Sequence, residues 1–503
     1  MYEFYLFSLI SSLILLVLWQ TLGKSKVLRR FFGTLFLFAF ITYAFSLFQL
    51  HLRDFYSLKI VFRDLMLLSF ASFTSILARK TKLGILSWIL LSGFLAFLLQ
   101  KNKDILIPKD FNLDEQAELI IKLNSPVENI NNTSFLAFLE KENIKITRSF
   151  SLVDDSASEL DNYYSIDLEK SDIFHLTEIK KSLRSFDFIS VIEENEEINL
   201  APLEVLAPAE EIQNGFSDPL SAQQWALTAL KVNELNELIK NQGSNKKAKL
   251  FILDTGIDAE HEDLKGNYLS LKKKYDTDVQ SHGTHCAGIA GAISNNETGV
   301  ASLNVNNNLF TITAIKVLND YGMGTQKTII DGIIEAAENE ADVISLSLGG
   351  RSTDKRQKLY EEAVAYANKA GAIVVVAAGN SSMNAKGYSP ANTPGVIAVA
   401  AIDQNLNIAP FSNTVEDLGM GIAAPGVQIL STTPNNEYKA FNGTSMATPY
   451  VAGLVAIMKS YHPELSTAEV YELLNLNGQF VAQNDKSGNL IDPVKTIKNL
   501  LGN

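Results

Sequence analysis

Residues Lys249-Leu-Phe-Ile-Leu-Asp-Thr-Gly-Ile-Asp258, KLFILDTGID, run four apolar side chains straight into a carboxylate and a glycine turn. A strand that is apolar on both faces belongs inside a parallel sheet covered by helices, because a half-exposed strand alternates polar and apolar residues. The same signature recurs at 309–317, 343–348 and 372–378, with helical stretches near 283–293, 326–339 and 354–370 between them. This rhythm predicts an α/β, three-layer domain with a mostly parallel sheet. In such sheets ligands bind outside the carboxyl ends of the strands, where Asp254 emerges. Alone, an Asp there reads as a turn residue or helix cap.

Three further residues meet Asp254 at that edge. His282 opens SHGTHCAGIAGAI, whose Gly and Ala let a helix pack closely and leave the imidazole at the helix start. Asn380 ends the strand GAIVVVAAGN. Ser445, in NGTSMATPY, begins a helix running through 451–460, and Pro449 is tolerable there if it falls in the first turn. By itself Ser445 reads as a cap as readily as a nucleophile, although a helix N-terminus also favours a developing oxyanion. His282 and His285 could be imagined as a zinc pair, but no HExxH or Cys cluster completes the ligands.

The blocks Asp254-Thr-Gly, His282-Gly-Thr-His-Cys-Ala-Gly, Ala377-Ala-Gly-Asn380 and Gly443-Thr-Ser445-Met-Ala-Thr-Pro resemble the signatures of the subtilisin-like serine peptidases, the subtilases, over about residues 216–480. The order Asp…His…Ser is that of subtilisin; an α/β-hydrolase would show G-x-S-x-G with the serine first. The resemblance implies a serine endopeptidase in which Ser445 is the nucleophile, His282 the base and Asp254 its orienting partner. Asn380 and the Ser445 N–H would form the oxyanion hole. Ser347-Leu348-Gly349 is similar to the segment that pairs with substrate backbone, and Gly322-Met-Gly324 to the opposite edge, so an extended polypeptide would add as a strand. Ala378, Gly379 and Gly387 resemble other pocket walls; with no acidic residue among them, the expected preference is broad and mainly apolar. Asp263, Asn296 and Asp218 match or could join a structural Ca2+ site of hard oxygens; ordinary surface turns are the alternative. Cys286 occurs at this place in one branch of the family, as a small packed residue close enough to the histidine to predict mercurial sensitivity.

The chain has 503 residues, 47% hydrophobic and 20% charged, enough for several folded units. Its net charge of −13, without a basic stripe, excludes nucleic acid as a partner. Cys286 is the only cysteine, so no internal disulfide forms. Apolar stretches near 4–22, 31–50, 59–78 and 84–99 approach the roughly 20 residues a helix needs to span a bilayer. They predict a membrane domain over 1–103 with membrane lipids as partners; a buried helical bundle is the alternative. Basic residues after the first stretch (Lys24, Lys26, Arg29, Arg30) and the third (Arg79, Lys80, Lys82) orient those loops to the cytoplasm. The expectation is therefore a multi-pass membrane protein with an extracytoplasmic peptidase domain, periplasmic or extracellular.

Between 104 and 200 the pattern gives βαββαβ, the order of a ferredoxin-like unit. It resembles the subtilase propeptide, its own prodomain acting as folding aid and intramolecular inhibitor; a permanent adaptor is the alternative. Residues 201–215, with Pro202 and Pro208, read as an exposed linker and processing region, leaving 216–503 as the catalytic domain. A catalytically silent peptide-binding protein on the same fold is the rival function, against which stand all four residues Asp254, His282, Asn380 and Ser445.

Overall fold

The computed structural model describes parts of 8–19, residues 26–49, and 117–502 except 126, 128–129, 131, 154–157, 169–172, 201–202, 206–214, 306–307 and 353–356. The described chain divides into two units, Met1–Gln116 with Leu168–Ser185, and Ala117–Asp167 with Phe186–Asn503.

The first unit holds the 24-residue helix Lys26–Gln49 and the helix Ile173–Leu183. Trp19 stacks on Phe36 with ring centroids 5.7 Å apart, and Trp19 also lies against the open face of Gly33. The expected multi-pass membrane placement is corrected here: among the described residues, no helix is long and apolar enough to cross a membrane. Within the helix Lys26–Gln49 the charged residues Lys26, Arg29 and Arg30 occupy the start and Gln49 the last position. The expected spans at 59–78 and 84–99 lie outside the described residues.

The second unit is built on a six-stranded sheet in the order Gly421–Pro425, Val396–Ile402, Ile373–Ala377, Val343–Leu346, Ala248–Asp254, Phe310–Lys316. All five pairings are parallel. Every residue of Ile373–Ala377 and Val396–Ile402 is buried, as strands covered on both faces must be. Burying each large aliphatic side chain there contributes about 1.5–3 kcal/mol, which outweighs the weaker β-propensity of the interspersed alanines. Helices Gln326–Glu338 and Gln357–Lys369 pack against each other, and the fully buried helix Thr444–Tyr461 crosses the sheet strands. Gly453 allows that helix to approach the helix His282–Gly291 closely, since a Cβ at Gly453 would lie 3.0 Å from the Ala290 carbonyl oxygen.

The same unit carries an antiparallel sheet in the order Ile144–Arg148, Tyr163–Leu168, Leu119–Leu123, Ile189–Glu194. With the helices Thr133–Lys141 and Ile173–Leu183 interposed in sequence, this is the expected βαββαβ order. Lys122 leaves this sheet to meet Glu362 Oε1 at 2.8 Å and Glu159 Oε2 at 2.6 Å. Burial pulls its ammonium down, but the two carboxylates outweigh that and hold its pKa above the ordinary lysine value.

The stretch expected as an exposed linker, 201–215, holds a strand, and another directly precedes it. Glu197–Asn199 pairs antiparallel with Met323–Thr325, Ile198 facing Gly324, and the Leu200 N–H donates to the Gly322 carbonyl at 2.8 Å. Leu203–Val205 then forms the third strand of a sheet with Ile429–Thr433 and Glu437–Asn442, with Leu203 facing Asn442. Backbone pairing with two pre-existing strand edges overrides the turn-prone composition that suggested a linker. Residues 201–202 and 206–214 of the expected linker lie outside the described residues.

Candidate active site

Asp254 ends its strand beside Lys316, and the following turn reverses the chain through Gly256, at φ +102°. Helix His282–Gly291 starts against that turn: a Cβ at Gly283 would lie 2.1 Å from the Gly256 carbonyl oxygen and 3.2 Å from Asp254 Cβ. Only glycine permits so close an approach. His282 Nδ1 consequently donates to Asp254, 2.8 Å from Oδ1 and 2.9 Å from Oδ2, with both side chains buried. Burial alone would pull the imidazole pKa down; the charge and hydrogen bonds of Asp254 outweigh it and raise the pKa well above the usual histidine value. The bond also fixes the tautomer, leaving Nε2 as the basic nitrogen when the ring is neutral.

Ser445 is the second residue of helix Thr444–Tyr461, so its backbone N–H has no intrahelical acceptor. Pro449 lies beyond the first turn, contrary to expectation. Lacking an N–H, it cannot bond the Ser445 carbonyl four residues back. That carbonyl instead accepts from Ser347 Oγ at 2.8 Å and from Cys286 Sγ at 3.6 Å. The Ser445 hydroxyl donates to the Ser347 carbonyl oxygen at 3.0 Å. Cys286 Sγ is also 3.9 Å from His282 Nδ1, so the thiol lies between the histidine ring and the Ser445 backbone carbonyl. Catalytic hydrogen bonds often tighten only once substrate is bound.

Asn380 follows the strand Ile373–Ala377, and its Oδ1 accepts from Thr444 N at 2.8 Å and Thr444 Oγ1 at 2.9 Å. With the oxygen end thus fixed, the amide NH2 is the end left to donate. Thr444 Oγ1 in turn accepts from the Gly379 N–H at 3.1 Å. Asp254, His282, Asn380 and Ser445 therefore gather at the carboxyl edge of one sheet.

The predicted substrate edges are placed as follows. Gly322 (φ +77°), Met323 and Gly324 form a strand edge, taken here by residues 197–200 of the same chain. Ser347 and Leu348 are buried at the end of strand Val343–Leu346, and a Cβ at Gly349 would press on the Ser389 carbonyl oxygen at 3.0 Å. Gly379, at φ +101°, packs on Asn413, Ala378 is buried, and nothing lies within 4 Å of a Cβ at Gly387.

The three residues named for calcium also come together. Asn296 Nδ2 donates to Asp263 Oδ1 at 2.8 Å, while the Asn295 and Asn296 N–H groups donate to Asp218. Burial pushes the Asp263 carboxyl up to about 7, and the charge of Asp218 adds to this; burial raises Asp218 as well. A divalent cation would offset the burial that raises both carboxyls, and an all-oxygen set would suit Ca2+. Among the described residues the only cluster of three His, Cys, Asp or Glu groups with metal-ligand proximity is Asp254, His282 and Cys286.

Sequence reading overlooked three participants. Thr444, beside the serine, fixes Asn380; residues 197–199 and 203–205 pair with the strands Met323–Thr325 and Glu437–Asn442; and Asp278, four residues before His282, is a buried carboxylate bonded to the turn after Asp254. Only Asp278 had a readable signal, as an Asx-type residue preceding a helix start.

Residues 245–489 match the subtilase family. Subtilisin DY from Bacillus licheniformis is 45% identical over 46% of this chain and 84% of its own length. Thermitase from Thermoactinomyces vulgaris is 39% identical over 48% of this chain and 85% of its own. Among solved structures, a protease from Pseudoalteromonas arctica PAMC 21717 aligns with a TM-score of 0.51 and 26% identity, covering 57% of this chain and 99% of that one.

Proposed function

Because the chain belongs to the subtilase family and is a serine endopeptidase, we propose that it hydrolyses peptide bonds through Asp254, His282 and Ser445. His282 Nε2 takes the Ser445 hydroxyl proton as Oγ bonds to the peptide carbonyl carbon. The Asn380 amide and the Ser445 N–H receive the oxyanion. The imidazolium, held by Asp254, then gives its proton to the leaving amine, and water repeats the sequence to release the acyl group. The observation that carries this reading is the buried His282–Asp254 bond beside an Asn380 anchored to the residue preceding Ser445.

Substrates are extended polypeptides that add as a strand to Met323–Thr325, as the chain's own residues 197–199 do. Main-chain pairing of this kind is indifferent to side chains, and Ile198, 2% exposed against Gly324, supports an apolar preference. The segment 104–200 acts as a propeptide and intramolecular inhibitor, cut from the catalytic domain, 216–503, within 201–215. Support comes from strands on either side of Ala201 and Pro202 that pair with Gly324 and with Asn442, close before Ser445. Asp263, Asp218 and Asn296 hold a structural Ca2+, which neutralises the paired carboxylates and stiffens the loop 294–300.

Expression of wild type and Ser445→Ala with C-terminal tags tests the reading. A shorter wild-type band beginning within 201–215 and absent from the variant supports it. A full-length wild type that also leaves peptide substrates intact sinks it, and favours the silent binding protein.

A further inference from the structure

The mechanism above leaves one buried carboxylate beside the triad without a role. Asp278 is 6% exposed. Its Oδ1 accepts from Thr255 Oγ1 (2.9 Å), Gln280 N (3.0 Å) and Ser281 N (2.9 Å), and its Oδ2 from Thr284 N (2.9 Å) and Thr284 Oγ1 (2.7 Å). These donors come from two places that must stay in register. Thr255 directly follows Asp254, its N–H donating to Asp254 Oδ1 at 2.8 Å and its hydroxyl accepting from the Gly283 N–H at 2.9 Å. Ser281 and Thr284 flank His282, and Ser281 stands at φ +81°, a conformation a non-glycine residue keeps only where its surroundings impose it.

We infer that Asp278 is a positioning residue for the peptidase reaction: it clamps the turn after Asp254 to the helix start that carries His282, and its negative charge favours the imidazolium. The inference rests on the triad reading above. Five donors converging on one carboxylate are more than capping the helix requires, since a cap engages one or two N–H groups. Ionised, Asp278 accepts on both oxygens at once; an amide in its place would turn an N–H2 toward donors on one side and lose that half of the clamp.

The charged and titratable groups around it are few. Asp254 faces it from the strand end, His282, His285 and Cys286 share the neighbouring helix, and Asp258 accepts nothing from it but offers its N–H to Thr284 Oγ1. Lys316 reaches the same turn by donating to the Thr255 carbonyl. Burial raises the Asp278 pKa, the Asp254 charge adds to the rise, and the hydrogen bonds from Thr284 and Thr255 oppose it.

The test uses the full-length enzyme, with a fluorophosphonate probe to count active sites and a peptide substrate to measure turnover per site over pH 5–10. For Asp278→Asn the clamp predicts kcat per active site lowered by about 10- to 100-fold with KM within about threefold. It also predicts that the acid midpoint of kcat/KM falls by at least about 0.5 pH unit, because a negative charge beside the imidazolium has gone. A purely structural residue would lower the melting temperature and the count of active sites but leave both the midpoint and turnover per site unchanged, and that result overturns the inference. Thr255→Val keeps the charge and volume but removes the bridging hydroxyl; lower kcat with an unmoved midpoint is expected. If Asp278→Asn does not fold, Thr255→Val with kcat within threefold of wild type overturns the inference instead. An inactive wild type would refute the triad reading itself, whereas an active wild type with an unaffected Asp278→Asn refutes only the clamp.

Discussion

Gly283→Ala should inactivate the enzyme without touching any reacting group. The added methyl would lie 2.1 Å from the Gly256 carbonyl oxygen and 3.2 Å from Asp254 Cβ, whereas real Cβ contacts essentially never fall below 3.0 Å. Both obstacles are backbone or the root of a side chain, so they cannot swing aside, and the helix start must retreat by about 1 Å. That retreat would lengthen the His282–Asp254 bond from 2.8 Å to about 3.8 Å, beyond hydrogen-bond reach. Misplacement by 1 Å costs on the order of 10²-fold in rate, and full loss of the aspartate's hold costs about 10⁴, a magnitude drawn from subtilisin and chymotrypsin-like enzymes. Hydrolysis of a chromogenic peptide should therefore show kcat reduced by about 10²–10⁴ with KM within a few fold. Overpacking should cost only about 1–3 kcal/mol of stability, leaving a folded protein by thermal melt. A folded variant with kcat within tenfold of wild type would refute the claim that this close approach sets the triad.

Three other outcomes follow from the same geometry. Asn380→Ala should lower kcat by about 10²–10³ with KM little changed, a range measured on subtilisin itself; a loss expressed wholly in KM would deny it the oxyanion role. The Asp263 pKa, about 7, lies above its unfolded value, so its contribution to stability declines as pH rises from about 4 through 7. Millimolar Ca2+ should accordingly raise the melting temperature more at pH 8 than at pH 5, and equal shifts at both would count against the site. A small mercurial should inhibit wild type slowly at neutral pH, since burial raises the Cys286 thiol, and should spare Cys286→Ala; equal inhibition of the two would contradict it.

Much of the fold was legible where apolar runs were long. The strands Ala248–Asp254 and Phe310–Lys316 announce themselves by burial on both faces, and the helix starting at His282 by its small residues. Val396–Ile402 was not read as a strand because three of its seven residues are alanine, which weakens the β signal, and Gly421–Pro425 ends in a proline that only an edge strand tolerates. The four residues at the sheet edge were legible as local blocks, each with a fixed neighbour. What stayed hidden depends on contacts distant in sequence: Thr444 on Asn380, Ser347 and Cys286 on the carbonyl that Pro449 frees, and residues 197–199 and 203–205 on two strand edges. The membrane expectation, which placed a span at 31–50 after the basic loop, is overturned because among the described residues no helix is long and apolar enough to cross a membrane.

The central claim is that Ser445, made reactive by His282, is the nucleophile. Peptide mapping of the folded protein after treatment with a fluorophosphonate measures this directly. The adduct should fall on the peptide containing Ser445 and vanish in both Ser445→Ala and His282→Ala; an adduct on another serine, or none on an enzyme that cleaves peptides, would contradict the account.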